Sequence, residues 1–397
     1  MGSVVTLRLW GFAVAAAFVP GMYAAPFLPR WWAICLGLVF VPRLDPRTVD
    51  ERMLWAMGII VVWSALTLLW SPALFGGAFA LFCLGLFAVV AIAAANLKSQ
   101  ERDQILAAFG WGVVLSTAFG VAQKFGYQGL PQSFPPGGLF YNPEVFAEAA
   151  APIFVWALFS RRWTLTVCLG LGVAICHEHI ASFIAIVGVI CFVVRPTKWQ
   201  IALIALAILI GIISLATRPG SADTRLLYWA TALRSLSFAG GGLGWWFQAH
   251  PFPFEEYVHS DLLQAGVEIG LAALLWPLVF VFAWHRSAAG RAERALLLAC
   301  VLECVVSFAL HMPATLFLCA VATGAVACRD AAVRVAQPPG RDPDAVDPRW
   351  QSAFGRRLSD NLGRSGAALS VRSALARFAH LHPQADRAAV ATSEGWN

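Results

Sequence analysis

Apolar residues in this chain run in blocks of roughly 14–22, near the ~20 residues needed to cross a ~30 Å hydrocarbon core. The blocks predict twelve helical spans, at 9–28, 30–42, 53–70, 76–95, 104–123, 141–160, 163–176, 181–194, 199–217, 262–284, 294–311 and 313–328. Turn chemistry separates them: Leu28-Pro29, Ser71-Pro72, Pro135-Pro136-Gly137-Gly138, Arg218-Pro219-Gly220 and Met312-Pro313. The period-2 alternation of a transmembrane β-barrel is missing. An all-α polytopic integral membrane protein is the class this pattern predicts.

Composition agrees. Of 397 residues 59% are apolar and 13% charged, with a mean hydropathy of +0.70; a soluble domain carries about 25% charged residues. The net charge of +6 is no sign of nucleic-acid binding, because the basic residues sit between apolar blocks or in the Arg-rich stretch 329–397. The nine cysteines, from Cys35 to Cys328, lie within or at the ends of the blocks without framework spacing, and read as small buried apolar side chains. Two domains follow: a transmembrane domain over 1–328 and a partly disordered cytoplasmic tail over 329–397, in which 367–381 has the pattern of a basic amphipathic helix.

Charge asymmetry orients the spans. Arg43, Arg47, Arg52, Lys98, Arg102, Arg161, Arg162, Arg195, Lys198, Arg286, Arg291 and Arg294 fall on one side. Arg30, Lys124, Arg218, Arg225 and Arg234 fall on the other. The positive-inside rule makes the first side cytoplasmic, with both termini there. Trp31, Trp32, Trp70, Trp163, Trp199 and Trp284 stand at block ends, where an aromatic belt sits.

One outer loop, 218–260, is far longer than a helix–helix connection requires. It holds three of the five outer basic residues, Arg218, Arg225 and Arg234, which suits an anionic ligand, since a guanidinium bonds two diphosphate oxygens at once. His259 ends the loop; Asp261, Gln264 and Glu268 follow at helical spacing and form a polar stripe on the next span. Ionisable groups inside a span face the bundle or a water-filled cavity, and an imidazole at its mouth is placed to take a proton from a hydroxyl.

Arg225 with Tyr228-Trp229, then Gly242-Leu243-Gly244, then His259-Ser260-Asp261-Leu262-Leu263-Gln264 with Glu268 and Gly270-Leu271, resembles the signature of the O-antigen ligase and polymerase superfamily. The segment Gly138–Ala147, with Asn142-Pro143-Glu144, is similar to that family's Asn-Pro-Asn stretch, and His311 with Pro313 to a late His-and-Pro patch. The resemblance covers about 140–328. Ser260 and Glu144 stand where many members have Asn, and the large extracytoplasmic domain of protein-glycosylating relatives is missing.

The resemblance implies a GT-C-like fold with its catalytic loop in the periplasm. It implies a transferase that moves an undecaprenyl-diphosphate-linked glycan (O-antigen) to a sugar hydroxyl of lipid A–core or another glycan acceptor. In that scheme Arg225 grips the diphosphate and His259 activates the acceptor, in an inverting transfer that needs no metal or other cofactor. Arg218, Arg234, Asn142, Asp261, Gln264 and Glu268 are candidate substrate contacts, and Gly242 and Gly244 shape the loop. The alternatives are a polymerase whose acceptor is another lipid-linked repeat, and a secondary transporter using Glu148, Glu268 and Glu303. The pair His177 and His179 reads as an exposed turn rather than a metal site.

Overall fold

A computed structural model describes residues 4–19, 27–41, 44–130, 136–176, 221–249, 258–275, 277, 289–307 and 309–328. Everything below belongs to the unit Met1–Asp330. The spans expected at 181–194 and 199–217, residue Arg218 and the tail 329–397 lie outside the described residues.

The described chain is mostly helical: α1 (Val4–Ala16), α2 (Leu28–Leu38), α3 (Glu51–Thr67), α4 (Leu74–Asn96), α5 (Ser99–Lys124), α6 (Pro143–Phe159), α7 (Trp163–Ile175), α8 (Ser221–Arg234), α9 (Trp245–Ala249), α10 (Asp261–Ile269), α11 (Arg291–Val306) and α12 (Pro313–Ala327). No strand occurs among the described residues; Val49 and Cys328 form an isolated bridge. Three stretches are long and apolar enough to cross a membrane: Glu51–Trp70, Leu74–Asn96 and Ser99–Lys124. Trp55, Ile59, Val62 and Leu66 recur at helical spacing on α3 and are all exposed. An outward apolar stripe of this kind suits lipid and not water.

At the centre lie α6 and α12, buried on nearly every side as helices apolar all round must be. Small residues bring the backbones close. A Cβ on Gly324 of α12 would stand 2.1 Å from the carbonyl oxygen of Ala91 on α4, so only glycine fits there. The start of α5 is clamped to α11, where Arg102 Nε lies 2.9 Å from Glu293 Oε1 and Arg102 Nη1 donates to the Leu97 carbonyl at 2.6 Å.

Several helices depart from the hydrophobic blocks. The first begins at Val4 and ends at Ala16, short of the 9–28 block; Pro20 disfavours helical geometry in the residue before it. In α2, Pro29 lies inside the first turn rather than before the helix, because its missing N–H is no loss there. The 262–284 block breaks at Gly270, whose φ of +64° ends α10 and starts a 3₁₀ turn over Gly270–Leu274. The loop 218–260 carries two helices, α8 and α9. Cys35 is exposed rather than buried. Trp31, by contrast, is buried, set edge-on between Phe79 and Phe82 with ring centroids 5.8 Å from each, and so is no belt residue.

Candidate functional site

The site grows from the start of α6. Segment 136–142 is fastened before it reaches the helix: Leu139 N–H donates to Ser116 Oγ at 2.8 Å and Gly138 N–H to Gln123 Oε1 at 2.8 Å. Arg30, fully buried, donates to the carbonyls of Ala15 (3.2 Å) and Leu139 (2.8 Å) and lies 4.3 Å from the centre of the Phe140 ring. Tyr141 then takes a left-handed φ of +66°, and the side chain of Asn142 caps α6 by accepting Glu144 N–H at 2.8 Å. Pro143 and Glu144 complete a first turn whose φ and charge suit a helix N-terminus.

Glu144 is the meeting point. Its Oε1 accepts from Arg225 Nη2 and lies 3.6 Å from His259 Nδ1. The three side chains are each 11–15% exposed, so the charges sit in a partly desolvated mouth where Coulomb forces are strong. On α8, Arg225, Tyr228, Trp229 and Ala232 share one face. The Tyr228 ring stacks on the His259 imidazole at 6.1 Å with 8° between planes, and Trp229 Nε1 donates to the His259 carbonyl at 3.2 Å. Tyr228, Ala232, Trp246, Val258 and Val267 pack as a separate apolar cluster beneath. His259 itself has φ +55°, which costs a bulky residue about 1–3 kcal/mol and persists only where the surroundings impose it.

From His259 the chain turns directly into α10. Ser260 Oγ caps it by accepting Leu263 N–H at 3.3 Å. Asp261 is tied three ways: its N–H to the Ser307 carbonyl (2.9 Å), Oδ2 to Leu310 N–H (2.7 Å) and Oδ1 to His311 Nδ1 (2.8 Å). Gln264 Nε2 donates to Glu268 Oε1 at 3.1 Å. The expected stripe Asp261, Gln264 and Glu268 is therefore real and buried. With His311 it lines a cavity of about 100 Å³ whose other walls are apolar, from Cys83 and Phe87 to Val301 and Leu316.

The glycine loop binds this end of α10 to α3 and α4. Gly241 and Gly242 N–H groups donate to the carbonyls of Val267 and Glu268, at 2.8 and 3.0 Å, and Ser71 Oγ donates to the Leu243 carbonyl at 2.6 Å. Gly242 and Gly244 have φ of +100° and +83°. A Cβ on Gly242 would stand 2.6 Å from Ser71 Cα, and one on Gly244 would stand 2.3 Å from Gly77 N. These positions require glycine for conformation and for space.

No protein-family model matches this chain, and no curated protein matches it.

The structure thus brings Arg225 and His259 together and puts Asp261, Gln264 and Glu268 in an adjoining cavity. Asn142 is in the site as a cap, its side-chain oxygen engaged by Glu144 N–H. Arg234 is not brought in: nine residues on from Arg225, it lies about 13 Å along α8 and half a turn round, exposed. The sequence reading missed Glu144 as the shared partner, although Asn142-Pro143-Glu144 carries the cap, proline and acid of a helix start. It also missed Arg30 and Ser307. Among the described residues no three His, Cys, Asp or Glu side chains converge as metal ligands.

Proposed function

We propose that the protein is a polytopic glycosyltransferase of the inner membrane, with about twelve spans and a GT-C-like arrangement. In this reading it transfers an undecaprenyl-diphosphate-linked glycan to a sugar hydroxyl of lipid A–core at the periplasmic face. One observation carries it: a guanidinium and an imidazole, 34 positions apart in the chain, converge on one carboxylate at the mouth of an apolar bundle. That pairing fits a diphosphate leaving group and a hydroxyl nucleophile.

The chemistry follows from the geometry. Arg225 exchanges Glu144 for the donor diphosphate and stabilises the charge that grows as the anomeric C–O bond breaks. His259 takes the proton as the acceptor oxygen attacks the anomeric carbon from the opposite face, with inversion, and Glu144 keeps the Nδ1 side of the ring oriented. Undecaprenyl diphosphate departs. The cavity beside Asp261 and Glu268 offers apolar volume next to this centre.

The test is reconstituted transfer from an undecaprenyl-diphosphate glycan, offered lipid A–core or a second lipid-linked repeat as acceptor. Arg225→Ala and His259→Ala are each expected to lower transfer by about 10²–10⁴-fold while the protein still inserts. Full activity in both variants, or labelling that finds 225 and 259 on the cytoplasmic side, overturns the proposal. Use of the repeat alone makes it a polymerase.

A further inference from the structure

Two carboxyl groups lie deeper in the bundle with no cation paired to either among the described residues. Glu148 is one turn along α6 from Glu144 and fully buried; Oε1 accepts from Ser307 Oγ, and Oε2 has no hydrogen-bond partner among the described residues. Glu303 on α11 is fully buried, and neither of its oxygens has a hydrogen-bond partner among the described residues. It sits one turn before Ser307, so the α11 turn that holds Glu148 also carries Glu303, and the two carboxyls feel each other's charge. The titratable groups around Glu148 are Glu144 on its own helix, His259 and Asp261 at the start of α10, and Glu303 on α11. Around Glu303 are Glu148, Cys300 on its own helix and, from α12, Cys319. No cation is among these neighbours apart from His259 when it is protonated.

Two adjacent buried carboxylates without a counter-ion do not both ionise, because unpaired burial costs several kcal/mol per charge. Ser307 supplies its one donor to Glu148, whereas Glu303 has none. Of the two, Glu148 is therefore the better placed to hold a negative charge and Glu303 to hold a proton.

We infer that Glu148 and Glu303 share one proton and act, through Glu144, as the store that receives the proton His259 removes from the acceptor hydroxyl. This rests on the transferase reading above. The steps balance: the acceptor O–H bond breaks and its proton goes to the imidazole. The imidazolium gives a proton from Nδ1 to Glu144, Glu144 passes it one turn along α6 to Glu148, and both members of the pair are then neutral acids. Departure of the product lets the same proton return to solvent by the reverse route, leaving His259 neutral for the next acceptor.

Infrared spectroscopy of the full chain in lipid nanodiscs, without substrate, tests the pair itself. The wild type is expected to show one buried carboxylic-acid carbonyl band, which Glu303→Gln abolishes or moves and Ser307→Ala shifts. An identical band in wild type, Glu303→Gln and Glu148→Gln overturns the inference. In the transfer assay, Glu148→Gln is expected to lose at least about tenfold in rate and to recover with rising buffer concentration, as a missing proton acceptor does. An unchanged rate, or a loss that buffer leaves untouched, also overturns it. Absence of transfer by the wild type alongside the expected infrared result counts against the transferase reading and not against the pair, whereas undiminished transfer by His259→Ala overturns the relay.

Discussion

Arg225 and His259 approach the same oxygen, Oε1 of Glu144, one as a hydrogen-bonded cation and the other at 3.6 Å. The carboxylate therefore competes with any anionic ligand for the guanidinium while it aligns the imidazole. Glu144→Gln separates these effects. Donor KM is expected to fall, since the competitor is gone, and kcat to fall on the order of 10²-fold as the ring loses its orientation. Steady-state kinetics with varied donor check this; a raised KM at unchanged kcat contradicts it.

The two arginines of α8 differ in what they face. Arg234→Ala is expected to leave transfer within about twofold of wild type, as exposed substitutions usually do, in contrast to Arg225→Ala. Comparable losses in both, measured at equal membrane expression, contradict the placement of Arg234 on the far face.

Gly242→Ala adds a Cβ 2.6 Å from Ser71 Cα at a φ of +100° and is expected to destabilise the protein by about 1–3 kcal/mol. Gly85→Ala, where no atom stands within 4 Å of the new methyl, is expected to be neutral or to stabilise α4 by up to about 1 kcal/mol. Thermal melting in detergent compares the two, and equal shifts refute the distinction.

Arg102→Ala leaves Glu293 buried without its cation, at a cost of about 3–5 kcal/mol. Adding Glu293→Gln removes the stranded charge and is expected to restore part of the loss. A double variant that melts no higher than Arg102→Ala alone argues against the buried pair.

Local chemistry was legible in the chain and long-range pairing was not. Hydrophobic block lengths located most helices, and the spacing of Asp261, Gln264 and Glu268 put them on one face, as found. The block 262–284 hid its break, because Gly270 interrupts the backbone without interrupting the apolar run. Arg225 and His259 stood out as charges in an apolar chain. Their partner Glu144 lies 81 residues before Arg225, and nothing local records that distance. Asn142 carried two readings, ligand contact and helix cap, and only the bond to Glu144 N–H shows the second. Arg30 was counted among outer charges; its partners are main-chain carbonyls, which have no residue-type signature.

The three bonds of Asp261 reach beyond its own helix. They join the residue two positions after the imidazole to Ser307, Leu310 and His311, so the start of α10 and the joint between α11 and α12 form a single mechanical element. A fluorophore or spin probe near that joint would then report a ligand arriving between Arg225 and His259, giving a readout of occupancy without altering those two side chains.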